Sequence, residues 1–165
     1  MTGGVDAGPT PPNQAEAVRV RRARIEEIRV LAQEYGREAA NLSWYMRPSP
    51  HPIPEGGIFW IAEDGEGEEM LGYAAGSLRQ EGLTVGPVYV RPNVRRRGVG
   101  QELLQAIQAW AEETGIPVVE VSVAAGNEVG RSFLESVGYV PRRILFSYAS
   151  SREASGGSLS DDLEW

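Results

Sequence analysis

Residues 88–100, Val-Tyr-Val-Arg-Pro-Asn-Val-Arg-Arg-Arg-Gly-Val-Gly, constrain this chain more than any other segment. Alternating apolar residues read as a strand, the arginines as a loop, and the apolar stripe that follows as a helix. A chain that passes from strand through a glycine loop into a helix leaves the first helical N–H groups unpaired and pointing outward. The helix dipole adds partial positive charge there. Gly98 and Gly100 have no side chains to hold an anion away from those N–H groups. The segment therefore predicts a phosphate site at a strand-to-helix junction.

The rest of the composition narrows the chemistry. There is no cysteine and only one histidine, His51. Thiolate nucleophiles, zinc–thiolate centres and a serine–histidine–aspartate triad are disfavoured, and no metal is expected. All 16 basic residues are arginine, so a lysine-bearing phosphate loop and a lysine Schiff base are excluded. What remains is chemistry done by positioning, carboxylates, hydroxyls and backbone dipoles. A net charge of −7 argues against a nucleic-acid partner, whose binding rests on phosphate neutralisation. No apolar run approaches the roughly 20 residues that span a bilayer, and residues 1–6 have no leader-like basic start, so no membrane partner and a cytoplasmic location are expected.

Along the chain, residues 1–15 and 150–165 are rich in Gly, Pro, Ser and Asp and read as flexible tails around a single domain at 16–149. Residues 17–21 are a candidate first strand. Ile25, Ile28, Leu31, Ala32 and Tyr35 have the spacing of one helix face. Residues 44–57 carry four prolines and are expected to be a loop, in which Trp44, Tyr45 and Met46 either line a pocket or belong to the core. Strands are predicted at 58–62, 70–78 and 83–90, the last broken by Gly86-Pro87, where a bulge or splay is expected. Leu103, Leu104, Ile107, Trp110 and Ala111 form the stripe of an amphipathic helix ended by Gly115. Val119, Val121 and Val123 alternate as a strand. Asn127 is a good N-cap for a helix bearing Val129, Phe133 and Val137, and a final strand is predicted at 144–149. This order is that of an α/β fold with a mostly antiparallel front half.

Two more specific readings of the phosphate site are weaker. Gly98 and Gly100 fit a dinucleotide fingerprint, but its third glycine position is Leu103. Nucleic-acid contact through the arginines lacks interleaved aromatic residues. The run Arg95-Arg96-Arg97-Gly98-Val99-Gly100 instead resembles the [Q/R]-x-x-G-x-[G/A] signature of the GNAT N-acetyltransferase superfamily. It is preceded by Val88-Tyr89-Val90-Arg91-Pro92, similar to that family's hydrophobic-x-V-x-P segment. It is followed by Asn127, Gly130, Phe133, Leu134, Gly138 and Tyr139 in the spacing of the family's N-x-x-A-x-x-F-Y-x-x-x-G-F pattern.

The resemblance spans residues 17–149 and implies a GNAT fold, a mixed central sheet of about six to seven strands with helices on both faces. It implies acetyl-CoA as co-substrate and direct attack of an amine on the thioester, with a small-molecule or peptide amine as acceptor. Homodimers occur in the family. The residues expected at the cofactor are Val88 and Val90 on the pantetheine arm, and Arg95, Arg96, Arg97, Gly98, Val99, Gly100 and Gln101 at the pyrophosphate. Asn127 is expected either at the pantetheine or thioester, or as an N-cap. Two departures leave the catalytic residue unassigned: Leu134 stands where the family often has a tyrosine, and neither Thr84 nor Gly86 is the glutamate of the third meander strand. Glu81, Ser132 and His51 are weak substitutes, read more simply as a turn residue, a helix-surface serine and a loop histidine. The alternative is an acyl-CoA-binding regulatory or degenerate GNAT domain without turnover.

Overall fold

The computed structural model describes residues 17–43, 46 and 51–148. The two predicted tails, Trp44, Tyr45 and Ala149 lie outside them. Five strands form one sheet in the order β1 (Val18–Ala23), β2 (Ile58–Asp64), β3 (Met70–Arg79), β4 (Gly82–Val90) and β5 (Val119–Val121). The first four pair antiparallel as a meander, and β4 pairs β5 in parallel. Helix α1 (Ile25–Ala40) joins β1 to β2, α2 (Val99–Thr114) crosses from β4 to β5, and α3 (Glu128–Ser136) follows β5.

Side-chain alternation splits the core between two faces. Phe59 and Ile61 of β2, with Tyr73, Ala75 and Tyr89, pack under the α1 stripe Ile28, Leu31, Ala32 and Tyr35. Their neighbours Trp60 and Ala62, with Leu71, Ala74, Leu83 and Val85, pack under Val99, Leu103, Leu104 and Ile107 of α2. A strand covered on both faces reads as a continuous apolar run, which is why residues 58–62 show no alternation in the sequence.

The predicted irregularity at Gly86-Pro87 is present. Ala74 pairs Val88 while Gly76 pairs Val85, so β4 places Gly86 and Pro87 opposite the single residue Ala75. Such a bulge bends its strand. The ladder between β4 and β5 covers only Leu83, Thr84 and Val85 against Val119, Glu120 and Val121. Beyond that point β5 has no ladder partner, so the strand ends at Val121 rather than Val123. The sheet opens there as a fork.

One prediction fails. Residues 141–148 form no strand, and the sheet has five strands among the described residues rather than six to seven. Pro141 has no N–H to donate to a ladder. Arg142 and Arg143 bind the chain to Glu120 through side chains at 3.1 and 3.2 Å instead of through the backbone. Ile144, Leu145 and Phe146 are consequently 79–81% exposed.

Candidate active site

The open arm of the fork is the edge of β4. Arg91 donates its N–H to the Leu71 carbonyl at 2.9 Å, and Tyr73 pairs Tyr89 in the same register. Hydrogen-bonded pairs alternate along an antiparallel ladder. Arg91 and Tyr89 therefore bond to β3, while Val88 and the Val90 N–H face the gap that β5 has left; the Val90 carbonyl accepts from Arg95 Nε at 2.9 Å. An extended chain lying there would meet an unfilled strand edge.

The loop that follows has the features of an anion site. Pro92–Val94 make one 3₁₀ turn, pinned by the buried Val94. Arg96 then takes φ 67° and Gly98 φ 82°. Arg96 is the sole non-glycine residue with positive φ among the described residues, a conformation that costs roughly 1–2 kcal/mol for an L-residue. The first helical closure in α2 is Glu102 N–H to Gly98 C=O at 3.0 Å. The N–H groups of Val99, Gly100 and Gln101 precede it and have no helical acceptor. Gly98, the N-cap, offers no side chain to satisfy them. Arg96, Arg97, Gly98 and Gln101 are exposed. Unpaired amides and the helix dipole meet at this end of α2, and Arg96 and Arg97 stand exposed in the adjoining loop.

Arg95 stands apart from Arg96 and Arg97. Its Nε donates to the Val90 carbonyl at 2.9 Å and its Nη2 to both carboxylate oxygens of Glu38 at 2.7 and 2.9 Å. The guanidinium also lies 5.9 Å from the Tyr89 ring centre. Its charge is thus turned to the α1 side. Arg91 does the same one step earlier, donating to Glu34 at 2.8 and 3.0 Å and to the Met70 carbonyl at 2.9 Å. Arg91 holds the Glu34 carboxyl below the usual glutamate range. Glu34 and Glu38 are one helical turn apart, and Arg91 and Arg95 flank the 3₁₀ turn. Together they strap the root of the phosphate loop to α1. The sequence reading missed this strap, whose trace was the matching four-residue spacing in two distant segments.

Asn127 acts as the predicted cap of α3, its Oδ1 accepting the Gly130 N–H at 2.9 Å. A Cβ on Gly130 would stand 2.7 Å from Val123 Cγ2 and 2.8 Å from Asn127 Nδ2, which accounts for glycine at that motif position. A Cβ on Gly100 would stand 3.4 Å from Phe133 Cζ, so the phosphate loop and the second motif meet across α2 and α3. Leu134 is packed partly buried against the core. Glu81, Ser132 and His51 are exposed.

Residues 21–139 match the profile of the acetyltransferase (GNAT) family, well over half the chain. The chain belongs to that family. It is accordingly an acyltransferase enzyme. Solved GNAT proteins share its fold. A GCN5-related N-acetyltransferase from Ralstonia eutropha JMP134 is 18% identical, with a TM-score of 0.60 over 82% of this chain and 100% of that one. Aminoglycoside N-acetyltransferase AAC(6')-Iy, solved with the bisubstrate analogue CoA-S-monomethyl-acetylneamine, is 16% identical, with a TM-score of 0.55 over 82% and 99%. Aminoglycoside 6'-N-acetyltransferase AAC(6')-IG from Acinetobacter haemolyticus is 15% identical, with a TM-score of 0.58 over 81% and 98%. Among the described residues no group of three or more side chains could hold a metal ion, and no helix is long and apolar enough to cross a membrane.

Proposed function

We propose that this GNAT protein transfers the acetyl group of acetyl-CoA to a primary amine of a small molecule, within one domain at residues 16–149. The observation that carries the proposal is a continuous backbone surface: the edge of β4 at Val88 and Val90 runs directly into the uncapped N-terminus of α2. The first suits the amides of a pantetheine arm and the second a pyrophosphate. The cofactor set is Val88, Val90, Arg95, Arg96, Arg97, Gly98, Val99, Gly100, Gln101 and Asn127. Arg95 acts within it by orienting the loop through Glu38 and Val90.

The reaction needs no covalent enzyme intermediate, in keeping with a chain lacking cysteine and lysine. The amine nitrogen attacks the thioester carbonyl carbon, the C–S bond breaks, CoA leaves as the thiolate, and the proton shed by nitrogen passes to solvent. Backbone N–H groups on the opened edge of β4 stabilise the developing oxyanion, and alignment in the fork supplies proximity. A small amine rather than a peptide is favoured by the shared fold of the aminoglycoside acetyltransferases.

Calorimetric titration with CoA and a thiol-release assay with acetyl-CoA over amines and peptides test the proposal. Binding at micromolar CoA with thiol release is expected, and Gly100→Asp should abolish both: its Cβ meets Phe133 Cζ at 3.4 Å and its carboxylate adds negative charge to the first turn of α2, beside the proposed pyrophosphate site. Failure of the unaltered protein to bind CoA would sink the proposal. Binding without thiol release to any amine would favour the regulatory alternative.

A further inference from the structure

We infer that the acceptor carries an acidic group beside its amine, and that Arg142, Arg143 and Glu120 read the two groups at the closed end of the fork. This rests on the acetyl-transfer function proposed above and names the substrate class for it.

A cavity of about 450 Å³ opens where β4 and β5 are still paired, and its lining includes Arg79, Glu81, Thr84, Glu120, Arg142 and Arg143. Leu83 and Val85 belong to the α2-side core, so strand alternation puts Thr84 on the opposite, α1 face. Glu120 is its register partner on β5 and shares that face. The bulge begins at Gly86, two residues from Thr84, or about 7 Å along the strand. The cavity thus abuts the point at which an acyl group lying along β4 from the α2 N-terminus would arrive. It lies at the far end of β4 from Gly98 and Gly100.

Charge selects the ligand. Glu120 Oε1 lies 3.1 Å from Arg142 and 3.2 Å from Arg143, and Arg143 also lies 3.7 Å from Glu81. These pairs are half exposed and cost little to exchange. A polycation entering the cavity would meet three guanidinium groups against two carboxylates, Glu81 and Glu120. A simple anion would have to displace Glu120 and leave it unpaired. An amine that also bears a carboxylate or phosphate satisfies both signs: its acid takes the guanidinium forks, and its ammonium takes Glu120. The number of ion pairs does not fall, and the planar arginine forks suit an acidic group bidentately. The ammonium then releases its proton to solvent, and the neutral amine rests beside Thr84, facing the fork. Glu120 is assigned to recognition alone.

The test is thiol release from acetyl-CoA by the intact protein with matched amines: β-alanine, phenylalanine and phosphoethanolamine against β-alaninamide, phenylalaninamide and ethanolamine, with spermidine as the polycation. The acidic member of each pair should be favoured in kcat/KM by about tenfold or more, chiefly through KM. The double variant Arg142→Ala/Arg143→Ala should erase that preference, and Arg142→Lys/Arg143→Lys should retain part of it. CoA affinity, measured calorimetrically, should be unchanged in both. Equal use of acid and amide, spermidine as the best acceptor, or a preference that survives the alanine variant would overturn the inference. Silence toward every amine with CoA still bound would overturn it while sparing the cofactor site. Loss of CoA binding in the unaltered protein would instead defeat the proposed function itself.

Discussion

Helix α2 carries its own control experiment. Gly98 at its N-terminus has φ 82° and Gly115 at its C-terminus has φ 74°, and a Cβ built on either meets nothing within 4 Å. Alanine at either position therefore creates no clash, and its cost is left-handed backbone strain of about 1–2 kcal/mol. A more restricted unfolded chain returns about 0.4–1 kcal/mol of that. The net loss, about 1 kcal/mol, lowers the melting temperature by about 2–4 °C in a chain of this length. Gly98→Ala and Gly115→Ala should be alike in this respect. They should differ in ligand binding. At Gly98 the methyl enters the open space that a pyrophosphate must occupy against the unpaired N–H groups of Val99, Gly100 and Gln101. Loss of one charge-assisted hydrogen bond there is about 1.5–3 kcal/mol, or roughly ten- to a hundredfold in Kd. Calorimetric titration with CoA, beside thermal melts of both variants, reads the two quantities independently. Equal weakening by Gly115→Ala, or an unchanged Kd in Gly98→Ala, would refute the assignment of the helix N-terminus as the phosphate site.

Three further outcomes are expected. Asn127→Ala should lower stability by about 1 kcal/mol through loss of the α3 cap, whereas Asn127→Asp retains an acceptor for the Gly130 N–H and should melt near the unaltered protein; equal losses would contradict the capping role. Burial pushes the Tyr35 hydroxyl up to about 12 and raises Tyr73 further. Their contribution to stability is complete below the ordinary tyrosine value of about 10 and is lost as pH climbs through the raised folded values, so denaturant melts should weaken above pH 10 as tyrosinate absorbance grows. Glu34 is held low by Arg91, so its contribution is present above about pH 4.3 and lost as pH falls through the depressed folded value. Arg91→Ala should flatten that acid limb in a pH series of melts.

The meander, both long helices and the phosphate loop were legible because each rests on local signals. The α1 and α2 stripes repeat at helical spacing, and Gly98 and Gly115 mark the helix ends by the φ that each requires. The bulge was legible because Gly86-Pro87 breaks an otherwise continuous strand pattern. The strand predicted at 144–149 had a good local pattern too. A strand, however, needs a partner edge, and that requirement is invisible in a run of apolar residues. Here the segment is tied to β5 by the side-chain ion pairs of Arg142 and Arg143 with Glu120.

The candidate site divides along the same line. The residues proposed for the phosphate were nameable from sequence because a helix N-terminus is built within a few consecutive residues. Those that orient the loop and line the cavity were not, because each depends on a contact between distant segments: Glu38 with Arg95 and Glu34 with Arg91 across 57 residues, and Glu120 with Arg142 across 22. Arg95 shows the consequence most clearly. From sequence its guanidinium is expected to reach the pyrophosphate beside the amides of Arg96 and Arg97. In the fold, Glu38 and the Val90 carbonyl claim it instead. The same competition explains why a single arginine run does two jobs. One residue ties β4 and the loop to α1, and the following residues, freed from that duty, curve through left-handed φ at Arg96 and Gly98 to present the N–H groups of α2.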